Sequence, residues 1–168
     1  MSLLADTALP LAAERPEDAP EVERLVLAAF GPGRFAKAAE RLREGRSPHL
    51  DLSFIAWDIG RAVGCVRLWP IRIGAKPALL LGPFAVDPAW RSRGVGAALI
   101  ERACDAAARA GHDLVLLVGD APYYGPLGFA GGRCRDVRLP GPVDPRRVLV
   151  RALAEGADAS LEGAVSAA

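Results

Sequence analysis

Near the start of the chain Leu9, Leu11 and Ala13 fall two residues apart, the period of a strand, and a turn follows around Pro16. Asp18 and Pro20 then stand where a helix takes its cap and its first-turn proline. Val22, Leu25, Val26 and Ala29 share one face of that helix, which is expected to stop at Gly31-Pro32-Gly33. A second, weaker and strongly basic helix is predicted from Phe35 to Arg43, followed by a polar stretch from Glu44 to Asp51. Two apolar runs, 52–58 and 62–73, are joined at Ile59-Gly60-Arg61, which is a hairpin signal. The run 79–86 predicts a third strand, and Gly82-Pro83 in its middle removes a ladder donor, so a bulge or splay is expected there. A long helix is predicted from Arg93 to about Ala110, ending at Gly111. Leu114 to Val118 has no polar positions and reads as a central strand covered on both faces. Further strands are expected near Cys134 to Leu139 and Arg147 to Leu153. Residues 154–168 read as a loose tail with one short strand around Leu161 to Val165. The pattern is that of one mixed α/β domain over 1–168, with its core in about 8–153 and no internal repeat.

Composition sharpens this picture mainly by exclusion. A chain of 168 residues fits one domain, at roughly 100–200 residues each. Hydrophobic residues at 51% and charged residues at 24% exclude wholesale disorder. The net charge of +1 selects neither nucleic acid nor an anionic membrane surface. One skew stands out: lysine occurs only at Lys37 and Lys76, so arginine supplies nearly all the basic charge. Cys65, Cys104 and Cys134 form no Cys-x-x-Cys, and His49 and His112 are the only histidines. Neither a disulfide scaffold nor a zinc cluster is expected, and no metal. No apolar run approaches the ~20 residues of a membrane span. The first residues also lack the basic leading region of a signal peptide. A soluble, cytoplasmic protein is the expectation.

The densest chemistry lies in residues 79–111, where a buried strand runs into a basic, glycine-containing loop that opens a long helix. A helix start offers unpaired N–H donors and the positive end of the macrodipole. Gly94 and Gly96 would let backbone approach a phosphate, and Arg91 and Arg93 add guanidinium charge at the rim. The dinucleotide fingerprint fails, because Leu99 stands where its third glycine belongs, and there is no Gly-Lys-Ser/Thr of a P-loop. The pattern Arg-x-x-Gly-x-Gly does fit, as Arg91-Ser92-Arg93-Gly94-Val95-Gly96. With the broken strand before it, the Val86-Asp87-Pro88 exit and the turn Tyr123-Tyr124-Gly125-Pro126-Leu127-Gly128-Phe129 after it, this resembles the GNAT superfamily of N-acetyltransferases. The stretch 118–129 is similar to a bacterial subgroup of predicted acetyltransferases.

The resemblance implies a central, mostly antiparallel sheet with splayed middle strands, flanked by helices. It implies that acetyl-CoA is the cosubstrate, with its pyrophosphate on Arg91, Ser92, Arg93, Gly94, Val95 and Gly96. The pantetheine arm would pair with the strand edge at Phe84, Ala85 and Val86, where backbone N–H near Phe84 or Ala85 would stabilise the oxyanion. It places Tyr124 as the catalytic acid: a phenol of pKa ~10 is un-ionised at neutral pH and so has a proton to donate to a departing thiolate of pKa ~8.5. The acceptor would be a primary amine on a small molecule or peptide, attacking directly in a ternary complex. The acceptor groove would lie within Phe30 to Leu50. No general base stands out. The strand 79–86 carries no carboxylate, and Asp51, Asp58, Asp87 and Asp120 read as turn or capping residues, as His112 does at a helix end. A non-catalytic acyl-CoA-binding or regulatory domain stays open as the alternative. An arginine-driven nucleic-acid binder is disfavoured by the balanced charge and an aromatic fraction of 6%. A homodimer is left open.

Overall fold

The alternation at the start of the chain becomes a short strand, β1 (Leu11–Ala13), in the computed structural model, which describes residues 8–30 and 38–168. The Asp18 carboxylate accepts the Arg15 backbone N–H at 2.9 Å in the turn that opens helix α1 (Ala19–Phe30), and α1 buries Val22, Leu25 and Val26. The expected stop at Gly31-Pro32-Gly33 and the first part of the basic helix lie outside the described residues. The described part of that helix is α2 (Ala38–Arg41). Strands β2 (Phe54–Asp58) and β3 (Arg61–Ile73) form the predicted hairpin. At its tip Ile59 and Gly60 adopt φ of 45° and 75°, the left-handed pair whose twist suits a two-residue hairpin.

Strand β4 (Lys76–Val86) returns antiparallel to β3. The ladder shifts register between Val66 and Leu68, opposite Gly82-Pro83, so the predicted bulge is present. Helix α3 (Val95–Arg109) leads to β5 (Leu114–Val118), and a single turn, α4 (Ala121–Tyr124), follows. The chain closes with β6 (Asp136–Arg138), β7 (Val148–Ala152) and β8 (Glu162–Ala167).

The sheet order is β1-β2-β3-β4-β5-β7, with β5 parallel to β4 and the other pairs on this path antiparallel. Helix α1 covers one face through Val22, Leu25 and Val26 against Ile55, Cys65 and Ala85. Helix α3 covers the other through Val95, Leu99 and Ala103 against Val63, Val66 and Leu79. It sits close because β3 offers Gly64: a Cβ there would lie 2.8 Å from Leu99 Cδ1. The two middle strands are bonded only at Leu79 with Val115 and Leu80 with Leu116, and beyond those pairs they part. Mixed α/β architecture and splayed middle strands are thus both present.

The short strand expected around Leu161 to Val165 is present as β8, and the looseness expected of the stretch around it is corrected. Residues 162–167 pair as β8 with Ile71–Ile73 of β3 and run parallel to β6, while Leu161 and Val165 are buried. The small, polar composition hides two apolar anchors, and the end of β3 supplies the backbone partners. The arginine skew is partly answered as well: Arg15, Arg24, Arg43, Arg67, Arg147 and Arg151 sit in ion pairs with carboxylates. Among the described residues no helix is long and apolar enough to cross a membrane.

Candidate active site

Where β4 and β5 part, a cleft of about 870 Å³ opens, walled by β4 from Leu81 to Val86 and by the end of β5. Asp87 donates its N–H to Val63 O on β3 at 2.8 Å. By strand alternation the amides of Val86 and Phe84 face the opposite way, into the cleft, and that of Ala85 faces β3. Ala85 still borders the cleft, but its side chain packs with α1. The splay therefore leaves backbone groups of Phe84 and the N–H of Val86 for a ligand.

The basic loop continues from this edge. Asp87 caps the turn Pro88–Trp90, accepting Ala89 N–H at 2.9 Å, and the loop passes through Ser92 at φ 62° and Gly94 at φ 83° into α3. The amides of the first α3 turn have no intrahelical partner, so donors point outward from this helix end. The two glycines differ in purpose. Nothing lies within 4 Å of a Cβ at Gly94, so its left-handed backbone is what requires glycine. At Gly96 a Cβ would meet Tyr123 Oη at 2.6 Å and Phe84 Cζ at 2.8 Å, so this glycine makes room for two aromatic rings. The arginines differ too. Arg91 borders the cleft and ties the loop to β4 through Nε donating to Val86 O at 3.2 Å. Arg93 lies over the Trp90 ring at 5.0 Å and, with Val95, borders a smaller hollow beside Leu9 and Arg102.

Tyr123 and Tyr124 border the cleft from the other side. Tyr124 lies so close to Gly119 that a Cβ there would fall 2.3 Å from a ring carbon. Its ring meets Tyr123 edge-on at 4.8 Å and Phe129 at 6.1 Å. Burial pushes the Tyr124 phenol up to about 12, so it stays protonated at neutral pH. Tyr123 is the more exposed of the two, and burial raises its phenol as well. The turn is held from outside: Arg151 Nη1 donates to Leu127 O at 3.1 Å and to Glu101 Oε1 on α3 at 3.0 Å.

A family model described as the acetyltransferase (GNAT) family matches residues 19–129. The chain belongs to the GNAT acetyltransferase family. Over 116 residues it is 30% identical to the uncharacterized N-acetyltransferase YjhQ of Escherichia coli (strain K12), a match that takes in 67% of this chain and 64% of that protein's length. The crystal structure of the Escherichia coli GNAT family N-acetyltransferase YhbS in complex with CoA aligns at a TM-score of 0.81 and 27% identity, covering 96% of this chain and 91% of that one. A GNAT family acetyltransferase from Brucella melitensis in complex with acetyl-CoA shares the fold at a TM-score of 0.72 and 24% identity, covering 96% and 97%.

In this GNAT chain the carboxylates near the cleft are already committed. Asp120 borders it but pairs with Arg147 Nε at 3.2 Å, and Asp144 caps Arg146 N–H at 3.0 Å. Asp87 is the loop cap, and Asp51 and Asp58 do not border the cleft. His112 sits against the His49 ring at 5.4 Å, away from the cleft, with its pKa lowered by burial. The three thiols are buried, and burial pushes Cys65 up to about 12 and Cys104 and Cys134 up to about 11, so all stay neutral and unreactive. Among the described residues no group of three or more metal-ligating side chains comes together. Sequence reasoning missed Arg43, which reaches the cleft from just beyond α2, and the Arg151 bridge. Both depend on contacts between distant segments, and no local pattern signals either.

Proposed function

We propose that the chain transfers an acetyl group from acetyl-CoA to a primary amine by direct attack in a ternary complex. One observation carries this reading: the unpaired β4 edge at Phe84 and Val86 runs directly into the Arg91–Gly96 loop and the α3 start. An extended amide-bearing arm ending in a pyrophosphate needs that order of donors. Acetyl-CoA, when bound, supplies the activated thioester; the rest falls to side chains and backbone. Loop amides hold the pyrophosphate, with Arg91 adding charge. Phe84 N–H donates to the thioester carbonyl oxygen as it gains charge. The amine nitrogen bonds to the carbonyl carbon, the C–S bond breaks, and the Tyr124 phenol passes its proton to the departing sulfur. Water removes the amine's surplus proton and restores the phenol. An acceptor with pKa ~10.4 must be delivered neutral, which costs about 4.6 kcal/mol at pH 7. The described carboxylates that border the cleft, Asp120 and Asp144, are paired with arginines, so water is taken as the carrier.

Calorimetric titration with acetyl-CoA, beside an amine screen read by free thiol release, tests the proposal. Wild type is expected to bind acetyl-CoA and Gly94→Glu to lose binding. Tyr124→Phe should keep the affinity and lose about a hundredfold in kcat. Unchanged turnover in Tyr124→Phe rejects the acid role. Tight binding with no thiol released by any amine would leave a non-catalytic acyl-CoA-binding domain.

A further inference from the structure

The acceptor half of the cleft holds a buried charge with unspent hydrogen-bonding capacity. The Arg43 side chain is 10% exposed and borders the cleft. Its Nε donates to Glu40 Oε2 at 3.1 Å, and its Nη2 bonds the same oxygen. The remaining nitrogen, Nη1, has no hydrogen-bond partner among the described residues and lies 3.0 Å from where a Cβ at Gly82 would stand. On a side chain this buried, a guanidinium N–H left without a protein partner at the cleft wall marks a place for an acceptor atom that arrives with a ligand.

That ligand atom is not the cosubstrate's pyrophosphate, whose proposed place is the loop beyond the far end of β4. Gly82 lies at the other end of the splay, two residues before Phe84. Apolar side chains border the same cleft, Ala29, Phe30, Ala39 and Val143 among them. Arg147, half-exposed and paired through Nε with Asp120, also borders the cleft.

We infer that Arg43 Nη1 forms a carboxylate subsite and that the acceptor is an α-amino acid with an apolar side chain. The inference rests on the acetyl-transfer reading above. The carboxylate docks on Arg43, the side chain lies against the apolar wall, and the α-amine beside the carboxylate faces the thioester at Phe84. A polyamine or aminoglycoside would bring further positive charge against Arg43 and Arg147.

The experiment compares kcat/KM for leucine, leucinamide and 3-methylbutylamine, and for phenylalanine and 2-phenylethylamine, with saturating acetyl-CoA. Leucinamide separates recognition from reactivity, because its amine is the more readily deprotonated and would win on reactivity alone. Wild type is expected to favour each amino acid over its decarboxylated and amidated partners by at least about tenfold. The double variant Arg43→Met/Glu40→Gln, which leaves no charge stranded, should lower the leucine-to-leucinamide ratio by at least about tenfold, so that leucinamide overtakes leucine, with the acetyl-CoA dissociation constant held near wild type. A wild type indifferent to the carboxylate, or a folded double variant that keeps the preference, overturns the inference. No transfer to any amine, by contrast, overturns the reading on which it rests.

Discussion

Gly94 and Gly96 stand two residues apart in one loop and serve different physical ends. Spacing alone reads both as openings for a phosphate. In the fold, Gly94 needs its positive φ, whereas Gly96 needs the absence of a Cβ between Tyr123 and Phe84. Substitution separates the two. Gly94→Ala is expected to lower stability by about 1–2 kcal/mol, because an L side chain is forced into the left-handed region, and thermal unfolding reads this directly. Gly96→Ala should act on the cleft instead: displaced Tyr123 and Phe84 rings weaken acetyl-CoA binding about tenfold in a calorimetric titration. Adding Tyr123→Phe should recover part of that loss by removing the hydroxyl from the collision. Equal stability costs and equal affinities in the two alanine variants would show the distinction to be empty. The residue types of this loop were legible in the sequence; the reason for the second glycine was not, because the rings that require it come from other segments.

At the scale of elements, local signals did well where the physics is local. Asp58-Ile59-Gly60-Arg61 turned as expected, since a two-residue hairpin needs only a permissive tip and two apolar flanks. The break at Gly82-Pro83 was visible because proline removes a ladder donor wherever it stands. The tyrosine turn is different. Its residues were recognisable, but its anchorage depends on Arg151, which lies 24 residues beyond Leu127 and 50 beyond Glu101. Arg151 thus acts as a positioning residue, holding the Tyr124 turn against α3. Arg151→Met is expected to lower kcat several-fold while the acetyl-CoA dissociation constant stays within about twofold, and Arg151→Lys should recover part of the rate. Glu101→Gln, which keeps the Leu127 contact, should cost less. A fall in melting temperature with kcat unchanged would reduce Arg151 to a structural tie.

Over the whole molecule, the closing segment is held more firmly than its composition suggests, through the short strand expected near Leu161 to Val165. Residues 154–168 are small and polar on average, yet Leu161 is 5% exposed and Val165 is 3% exposed in the cluster that holds Ile71, Leu80 and Leu116. Leu161→Ala should therefore cost about 2–4 kcal/mol and lower the melting temperature by roughly 5–15 °C, as followed by circular dichroism. A loose tail would show no change. The balanced charge is built locally: several arginines are spent on paired carboxylates, Arg43 on Glu40 and Arg67 on Glu14 among them. What the amino-acid sequence determined by itself was the run of strands, the broken middle strand, the loop that opens α3 and the family likeness. Each of these is written in residues that touch along the chain. What only the tertiary structure decided was the other half of the cleft. There α1, the segment around α2, the splayed edge of β4 and the segment before β7 meet across gaps of tens of residues. Contacts over such separations leave no local trace, because they arise from packing after the chain has folded back on itself.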